Sequence, residues 1–566
     1  MEIINFMKEI IVKILQKEGV RLKESEIESL IEIPPSPDFG DYSFPCFALS
    51  KTEKKSPDKI AEHFAGKIKL PKEIEKVENK GAYLNFFIDK KILAEEVIKI
   101  NSNFGKSSIG KNKKIVIDFS APNIGKPMHI GHIRSTIIGD SIMRIHNFLG
   151  YNSIGINYLG DIGLHIGKLI VAYELWLNKS ALEKDPVQEL LRLYVKFCSM
   201  EKSEITEGVE EEFQDNEWTG KAKEKLRLLE LGDKKTEKIW KEIRKYSGKG
   251  FDKVYEMLGI NFNETVGQSQ FAETGKKIIT NALLKEIAKT EKDGAVYVEI
   301  NKQKKFILRS NKTASYITYD LGAAVERYKK YKFEKMIYVT DFRQKEHFSQ
   351  LFQILEMFGY DFSNKLAHLP FGTIKFENEI IATRTGDIIL LEDVLKKTIA
   401  KAEEEIKKRK TKGDAEKVGV GAIKYIVLKT APAGDVHFSW EQALNFEGDS
   451  GPYIQYSYAR ASSIIKKTKN FNKSKIRIEN LNSSEINLIK KIYNFPNVVK
   501  NSQSSLNPSL IANYSFELAQ AFNEFYHSSP VIGDKSEAFR LLLVNSFRTA
   551  MKNSLYLLGI EVTEEM

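Results

Sequence analysis

A strand–helix–strand run between residues 115 and 161 limits what this chain can fold into more than any other feature. IVIDFS at 115–120 is a short β-branched strand. After it, Ile133, Ile137, Ile138, Ile142, Ile145 and Leu149 recur near 3.6-residue spacing, which predicts a helix with one apolar, inward face. Gly150 is placed to stop that helix, and NSIGINYLGD at 152–161 predicts a second strand. Such a run is a βαβ unit, so its strands are parallel and its crossover right-handed. Sheets of this kind bind ligands at the carboxyl ends of their strands. The segment APNIGKPMHIGH, 121–132, joins the first strand to the helix at such an end.

Later runs extend the sheet. AVYVEI (295–300), KFILRS (305–310), KMIYVT (335–340) and AHLPFGTIKF (367–376) all have strand character. They predict one doubly wound, Rossmann-type sheet, interrupted by a helical, charge-laced insertion at about 168–265. Residues 1–108 predict a separate small α/β unit, with GAYLNFFID at 81–89 as a strand and GKSSIGKNKK at 105–114 as a linker. KKRKTKGD at 407–414 marks another boundary. From 411 to 566 the periodicity is helical throughout, which predicts an all-α bundle. The expectation is an α/β multidomain chain: an α/β N-terminal add-on at 1–108, a parallel-sheet domain at 109–410, and a helical domain at 411–566.

A length of 566 residues agrees with several domains. The net charge of +11 favours a polyanionic partner such as nucleic acid. Two cysteines, Cys46 and Cys198, exclude a disulfide framework and a four-cysteine zinc site. No apolar run approaches the ~18–20 residues of a membrane span. The start, MEIINFMKEIIVKILQKEGV, has the pattern of an amphipathic helix with early acids, not of a signal peptide. A cytoplasmic location is therefore expected, with no membrane contact.

Within 121–132, His129 and His132 bracket Gly131. Three residues apart in a first turn, they share one side of the helix. A helix N-terminus offers free N–H groups and a positive dipole end, which suit phosphate. Gly131 lets a ligand approach the backbone. A metal would need a third and a fourth ligand. His146 lies several turns away and His165 further still. A pair of structural, satisfied histidines is the other alternative for the pair taken alone.

Read in full, HIGH at 129–132 within APNIGKPMHIGHIRST resembles the arginyl form of the class I aminoacyl-tRNA synthetase signature. The resemblance runs nearly end to end. SPDFGDYSFPCFALSK and GAYLNFF are similar to the N-terminal add-on domain of arginyl enzymes. NYLGDIGLHIGKL, ASYITYDLGAA, VTDFRQKEHFSQLF and HLPFGTI follow in the family's order. GPYIQYSYARASSI and FRTAMKNSLYLLGIEVTEEM resemble the helical, DALR-type anticodon-binding domain. The resemblance implies an arginine–tRNA ligase. Its substrates would be L-arginine, tRNA(Arg) and ATP with Mg2+, and its intermediate an arginyl-adenylate. Transfer would be to the 2′-hydroxyl of the terminal adenosine. It also implies a monomer and no zinc.

The same resemblance assigns residues. His129 and His132 would stabilise charge on the pentacoordinate phosphate, with Gly131, Gly160, Asp161, Gly372, Ile374 and Thr383 around the ATP. Asn123, His132 and Gln344 would hold the amino-acid head. Tyr316 and Asp320, one helix turn apart, would hold the guanidinium, with Gln268 beside them. Asn85 and Phe87 would meet the tRNA elbow; Tyr453, Tyr456, Tyr458 and Arg460 would meet anticodon bases by stacking and hydrogen bonding.

Two departures from the family pattern stand out. The KMSKS-type loop reads IIATRTG at 380–386, with Ile380 and Thr385 where lysines are usual. Lys126, just before HIGH, with Arg384, would then supply the catalytic cations. Gly267-Gln268-Ser269 replaces the usual Gly-Glu-Ser, so a charge is lost, and Glu264 is a candidate to compensate. Two rivals remain from sequence: another class I synthetase, or a catalytically impaired, synthetase-like RNA-binding protein.

Overall fold

The computed structural model describes residues 2–34, 37–203, 216–376, 389–468, 476–478 and 480–566. The first unit contains α1 (Glu2–Lys17), α2 (Glu24–Leu30), β1 (Tyr42–Pro45), α3 (Ser50–Glu53), α4 (Pro57–Lys67), β2 (Ile74–Lys80), β3 (Tyr83–Ile88) and α5 (Lys90–Val97). Its sheet is antiparallel, in the order β1-β3-β2. β3 is central, and so Leu84, Phe86 and Ile88 are buried on one face while Tyr83 and Phe87 stay partly open.

The central unit begins with β4 (Lys114–Asp118), α6 (Ile130–Phe148) and β5 (Asn152–Leu159). A helical insertion follows: α7 (Leu164–Trp176), α8 (Lys179–Lys184), α9 (Pro186–Ser203), α10 (Glu217–Glu230) and α11 (Lys234–Leu258). Then come β6 (Glu264–Gly267), α12 (Ala272–Leu284), β7 (Lys289–Thr290), β8 (Val296–Ile300), β9 (Gln303–Leu308), α13 (Tyr316–Tyr331), β10 (Lys335–Asp341), α14 (Lys345–Met357), β11 (Leu366–Phe371), β12 (Ile374–Phe376) and α15 (Leu391–Lys408). The main sheet is five-stranded and parallel, in the order β11-β10-β4-β5-β6. Its direction of winding reverses between β4 and β10.

Side chains alternate across this sheet. Ile115 and Ile117 of β4 face one core, with α6; Val116 faces the other, with α13 and α14. Helices thus cover both faces, as a buried parallel sheet requires.

Two expectations are corrected here. The runs at 295–300 and 305–310 do not join the parallel sheet; β8 and β9 form an antiparallel hairpin sheet with β7. Only two residues, Asn301 and Lys302, connect them, both at positive φ, and so short a link permits only an antiparallel return. The fifth parallel strand is instead β6, too short to show a period. Second, α6 has no solvent face: Arg134, Ser135, Thr136, Asp140, Ser141 and His146 are buried as fully as its isoleucines. Small residues let neighbours close in on it. A Cβ on Gly139 would lie 2.2 Å from Phe119.

The second neighbour of α6 is the C-terminal unit: α16 (Ala415–Leu428), β13 (Val436–Phe438), α17 (Trp440–Ala443), α18 (Gly451–Lys467), α19 (Ser483–Ser504), α20 (Ser509–Ser528) and α21 (Glu537–Leu557). It is helical apart from β13, which pairs with β12. Ser141 Oγ donates to Leu557 O at 2.8 Å, and His146 Nε2 lies 3.2 Å from Gln503 Nε2. One helix therefore runs from the histidine turn into the bundle.

Candidate active site

The carboxyl ends of β4, β5 and β10 open into a cavity of about 1120 Å³, at the point where the winding reverses. The loop from β4 to α6 forms one wall. Ser120 and Ala121 both take positive φ, 72° and 52°, a conformation that costs roughly 1–3 kcal/mol for such residues. Hydrogen bonds hold them there: Ser120 N–H donates to Ser135 Oγ (2.8 Å) and Ala121 N–H to Asn157 Oδ1 (3.2 Å). Further along, Gly125 N–H donates to Ser247 Oγ of α11 at 2.8 Å, so the insertion anchors the same loop.

His129 is the N-cap of α6. Its Nδ1 accepts from Gly131 N–H at 3.1 Å, and His132 Nδ1 accepts from His129 N–H at 3.1 Å. An Nδ1 that accepts carries no proton, so each neutral ring keeps its proton on Nε2 and can donate from there. Burial, aided by the Lys126 ammonium, pushes His129 down to about 4. Burial and the neighbouring His129 push His132 to about 3. Both are neutral donors at neutral pH. The free backbone N–H groups expected at this helix start are not free: Gly131 N–H serves His129, and Ile130 N–H donates to Ile389 O at 3.2 Å. Side chains, not the helix terminus, must meet an anion here.

The opposite wall is acidic. Asp118, at the end of β4, is paired with Arg327 of α13 at 2.7 Å, both buried. Asp320 accepts from His347 Nε2 at 2.6 Å. Beside them the Tyr158 hydroxyl and Gln268 Oε1 are buried with no partner among the described residues. Orphaned polar atoms facing a cavity call for a ligand that supplies the missing bond.

The third wall is the β11–β12 turn. Gly372 is enclosed so closely that a Cβ would lie 2.6 Å from Gly434 O. Arg134 of α6, 1% exposed, fixes this turn by donating to Gly372 O (3.3 Å) and Pro432 O (3.2 Å). Surrounded by carbonyls, it remains a buried cation, pushed down by burial only to about 10.

Of the residues expected to hold arginine, Asn123, His132, Gln268, Tyr316, Asp320 and Gln344 all line this cavity. Of the nucleotide set, His129, Gly131, Gly160, Gly372 and Ile374 line it too. Gly160 is required sterically: a Cβ there would sit 1.9 Å from Asn123 Oδ1.

Other expected residues lie elsewhere. Asp161 is buried beneath the wall, accepting from Ser269 N–H (2.9 Å) and Ser269 Oγ (2.8 Å), and it shapes the Gln268 turn. Lys126 does not line the cavity; its ammonium sits 4.5 Å from the Tyr194 ring of α9. Glu264 pairs with Lys330 outside the cavity. Thr383, Arg384, Ile380 and Thr385 lie outside the described residues. The described flanks of their segment reach the site: Lys375 lines the cavity, and Leu391 N–H donates to Met128 O at 2.9 Å. Among the described residues no three histidine, cysteine or acidic side chains converge as a metal cluster would require.

The remaining candidates divide by exposure. Asn85 is 4% exposed and accepts from Ser43 Oγ at 2.6 Å, whereas Phe87 is partly open with Lys76 over its ring. Both were expected to meet the tRNA; Asn85 shares the face of Tyr83 and Phe87 but is covered there, opposite Ser43 of β1. Tyr458 is 1% exposed and belongs to the bundle core. Tyr453, Tyr456 and Arg460 are partly exposed and linked through Asn523 and Tyr526.

Sequence reasoning missed Asp118, Arg327, Tyr158, Arg134 and His347. Three left a signal. Asp118 and Tyr158 are polar residues in the otherwise apolar runs IVID and INYL, near the carboxyl ends of their strands. Arg134 is a charge on an apolar helix.

Three family descriptions match consecutive parts of the chain. "Arginyl tRNA synthetase N terminal domain" covers residues 5–88, "tRNA synthetases class I (R), catalytic domain" 95–440, and "DALR anticodon binding domain" 454–566. The arginine–tRNA ligase of Halothermothrix orenii is 40% identical over 575 residues, covering 99% of each chain.

The chain belongs to the arginyl-tRNA synthetase family.

The ligase of Clostridium beijerinckii is 38% identical over 98% of both chains. Two solved family structures share the fold. The arginyl-tRNA synthetase of Thermus thermophilus superposes with a TM-score of 0.80 at 23% identity, covering 99% of this chain and 100% of that one. The Plasmodium falciparum enzyme gives 0.79 at 25%, covering 99% of each. The family's three parts are the antiparallel add-on, the parallel-sheet domain and the helical bundle described above. No described helix is long and apolar enough to cross a membrane.

Proposed function

We propose that this arginine–tRNA ligase joins L-arginine to tRNA(Arg) in two steps within the one cavity. The arginine carboxylate attacks the α-phosphorus of ATP, bound as its magnesium complex, and pyrophosphate leaves. The 2′-hydroxyl of the terminal adenosine then attacks the arginyl-adenylate carbonyl, and AMP leaves. The nucleophile of the first step is already charged, so no general base is needed; catalysis is positioning and charge stabilisation.

The observation that carries this reading is the contrast between the cavity's walls. Asp320, Tyr316 and Gln268 line the side suited to a guanidinium, and carboxylate–guanidinium contacts are among the stronger hydrogen bonds. Asn123 and Gln344, which also line the cavity, would hold the amino-acid head. His129 and His132 donate Nε2–H to phosphate and accept no proton at neutral pH. Gly160, Gly372 and Ile374 leave room for the adenosine. Lys126, leaving the Tyr194 ring, and Arg384 supply the cations, and Thr383 a hydroxyl to the nucleotide.

The tRNA would meet Phe87 at its elbow, and Tyr453, Tyr456 and Arg460 at its anticodon. The protein acts as a cytoplasmic monomer. The test is ATP–pyrophosphate exchange and aminoacylation with each of the twenty amino acids, with and without tRNA. Arginine alone should support charging. Charging with a different amino acid would make it another class I synthetase, and charging with none an RNA-binding relative without catalysis.

A further inference from the structure

Among the described residues three acids line the cavity, and their partners differ in kind. Asp118 is held by Arg327 at 2.7 Å. Asp341 is held by Arg343, whose Nε and Nη2 donate to its two oxygens at 2.8 and 2.9 Å. Guanidinium groups stay charged at every relevant pH. Asp320 alone of the three is bound to an imidazole, His347 Nε2, at 2.6 Å.

We infer that His347, on α14, is a positioning residue for arginine capture: it fixes the Asp320 carboxylate that is offered to the guanidinium. This rests on the reading of Asp320 as a guanidinium ligand. Nε2–H donates to Oδ2, and Oδ1 stays available to the substrate. Asp320 is the one acid of the three not held by a guanidinium of the chain itself. Losing His347 should therefore weaken arginine binding more than it slows the chemistry.

The surroundings allow this. α13 presents Asp320, with Arg327 engaged by Asp118 of β4. β11 presents His368, which bonds Thr340 Oγ1 at 2.9 Å and stacks on Phe348. Burial pushes His368 down to about 4, so it is neutral at neutral pH. The turn after β10 presents Asp341 and Arg343, paired with each other. Lys345 and Glu346 flank His347 on its own helix and are exposed. β8 meets α14 through the apolar Val296 and Val298.

The experiment is the arginine KM and kcat at pH 7.5 for the full chain and its His347→Gln, His347→Ala and Asp320→Asn variants. Glutamine keeps a donor near the Nε2 position. His347→Ala should raise the arginine KM about tenfold, the loss expected for one hydrogen bond to a charged group, with kcat moving far less, and His347→Gln should restore part of that loss. An alanine variant with the wild-type KM, or a glutamine variant no better than alanine, overturns the proposal. If Asp320→Asn leaves the arginine KM unchanged, the assignment of Asp320 itself fails. If it raises that KM while His347→Ala matches the wild type, only the role of His347 fails.

Discussion

The two ends of the cavity solve opposite electrostatic problems with different chemistry. At the histidine turn, burial removes charge: His129 and His132 are neutral, and their Nδ1 atoms are committed to backbone N–H groups. At the Asp320 wall each acid instead has a partner within hydrogen-bond distance. A neutral donor would suit a phosphate whose charge peaks only in the transition state. A carboxylate would suit a guanidinium that is charged throughout. Removing groups from the first end should therefore act on rate, and from the second on arginine binding.

The largest effect is expected at the first end. His132→Ala should lower kcat for activation by about 10²–10³, the usual loss for one transition-state donor, with a smaller change in arginine KM. His129→Asn keeps an N-cap, so a comparable fall in rate with an unchanged melting temperature would separate chemistry from helix capping. Lys126→Ala should cost on the order of 10² in rate. If charging stays within threefold, the ammonium over Tyr194 is structural. Gly160→Ala comes next: its Cβ would collide with Asn123 Oδ1, and the arginine KM should rise about tenfold, as loss of one hydrogen bond to a charged group implies. Gln268→Glu should be smallest, lowering the arginine KM a few-fold. No change would remove this position from guanidinium recognition.

The contrast extends to stability. His129, His146, His165 and His368 are pushed down to about 4, and His132 to about 3, with burial the main cause. Unfolded imidazoles titrate near 6.5. Unfolding below that pH takes up protons, so this contribution is intact above 6.5 and lost as pH falls towards 4. Thermal melts should show Tm dropping through this window; a flat Tm would contradict the buried, neutral state.

The sequence carried much of this architecture, and the failures have physical causes. The βαβ unit around α6 showed because its isoleucines follow one period and its ends carry stop signals. β6 did not, since four residues have no period to detect. The β8–β9 hairpin imitated parallel strands because a strand's composition does not reveal its direction. The candidate site was visible where chemistry follows local order, as in HIGH and in the Tyr316–Asp320 spacing. It was hidden where the partner is distant in sequence: Asp118 meets Arg327 across 209 positions, and His347 meets Asp320 from another helix. Arg134 showed only as a charge on an apolar helix, and its place was not legible because helical periodicity gave α6 one inward face and the bundle supplies a second.

The measurement closest to the central claim is the separate determination of the arginine and ATP KM values for Asp320→Asn by ATP–pyrophosphate exchange. Truncating a buried charge pair costs about 2–5 kcal/mol, or roughly 10² in affinity or more. The arginine KM should rise by about that factor while the ATP KM stays within threefold. An unchanged arginine KM, or an equal rise in both, would contradict a cavity divided between a guanidinium wall and a phosphate wall.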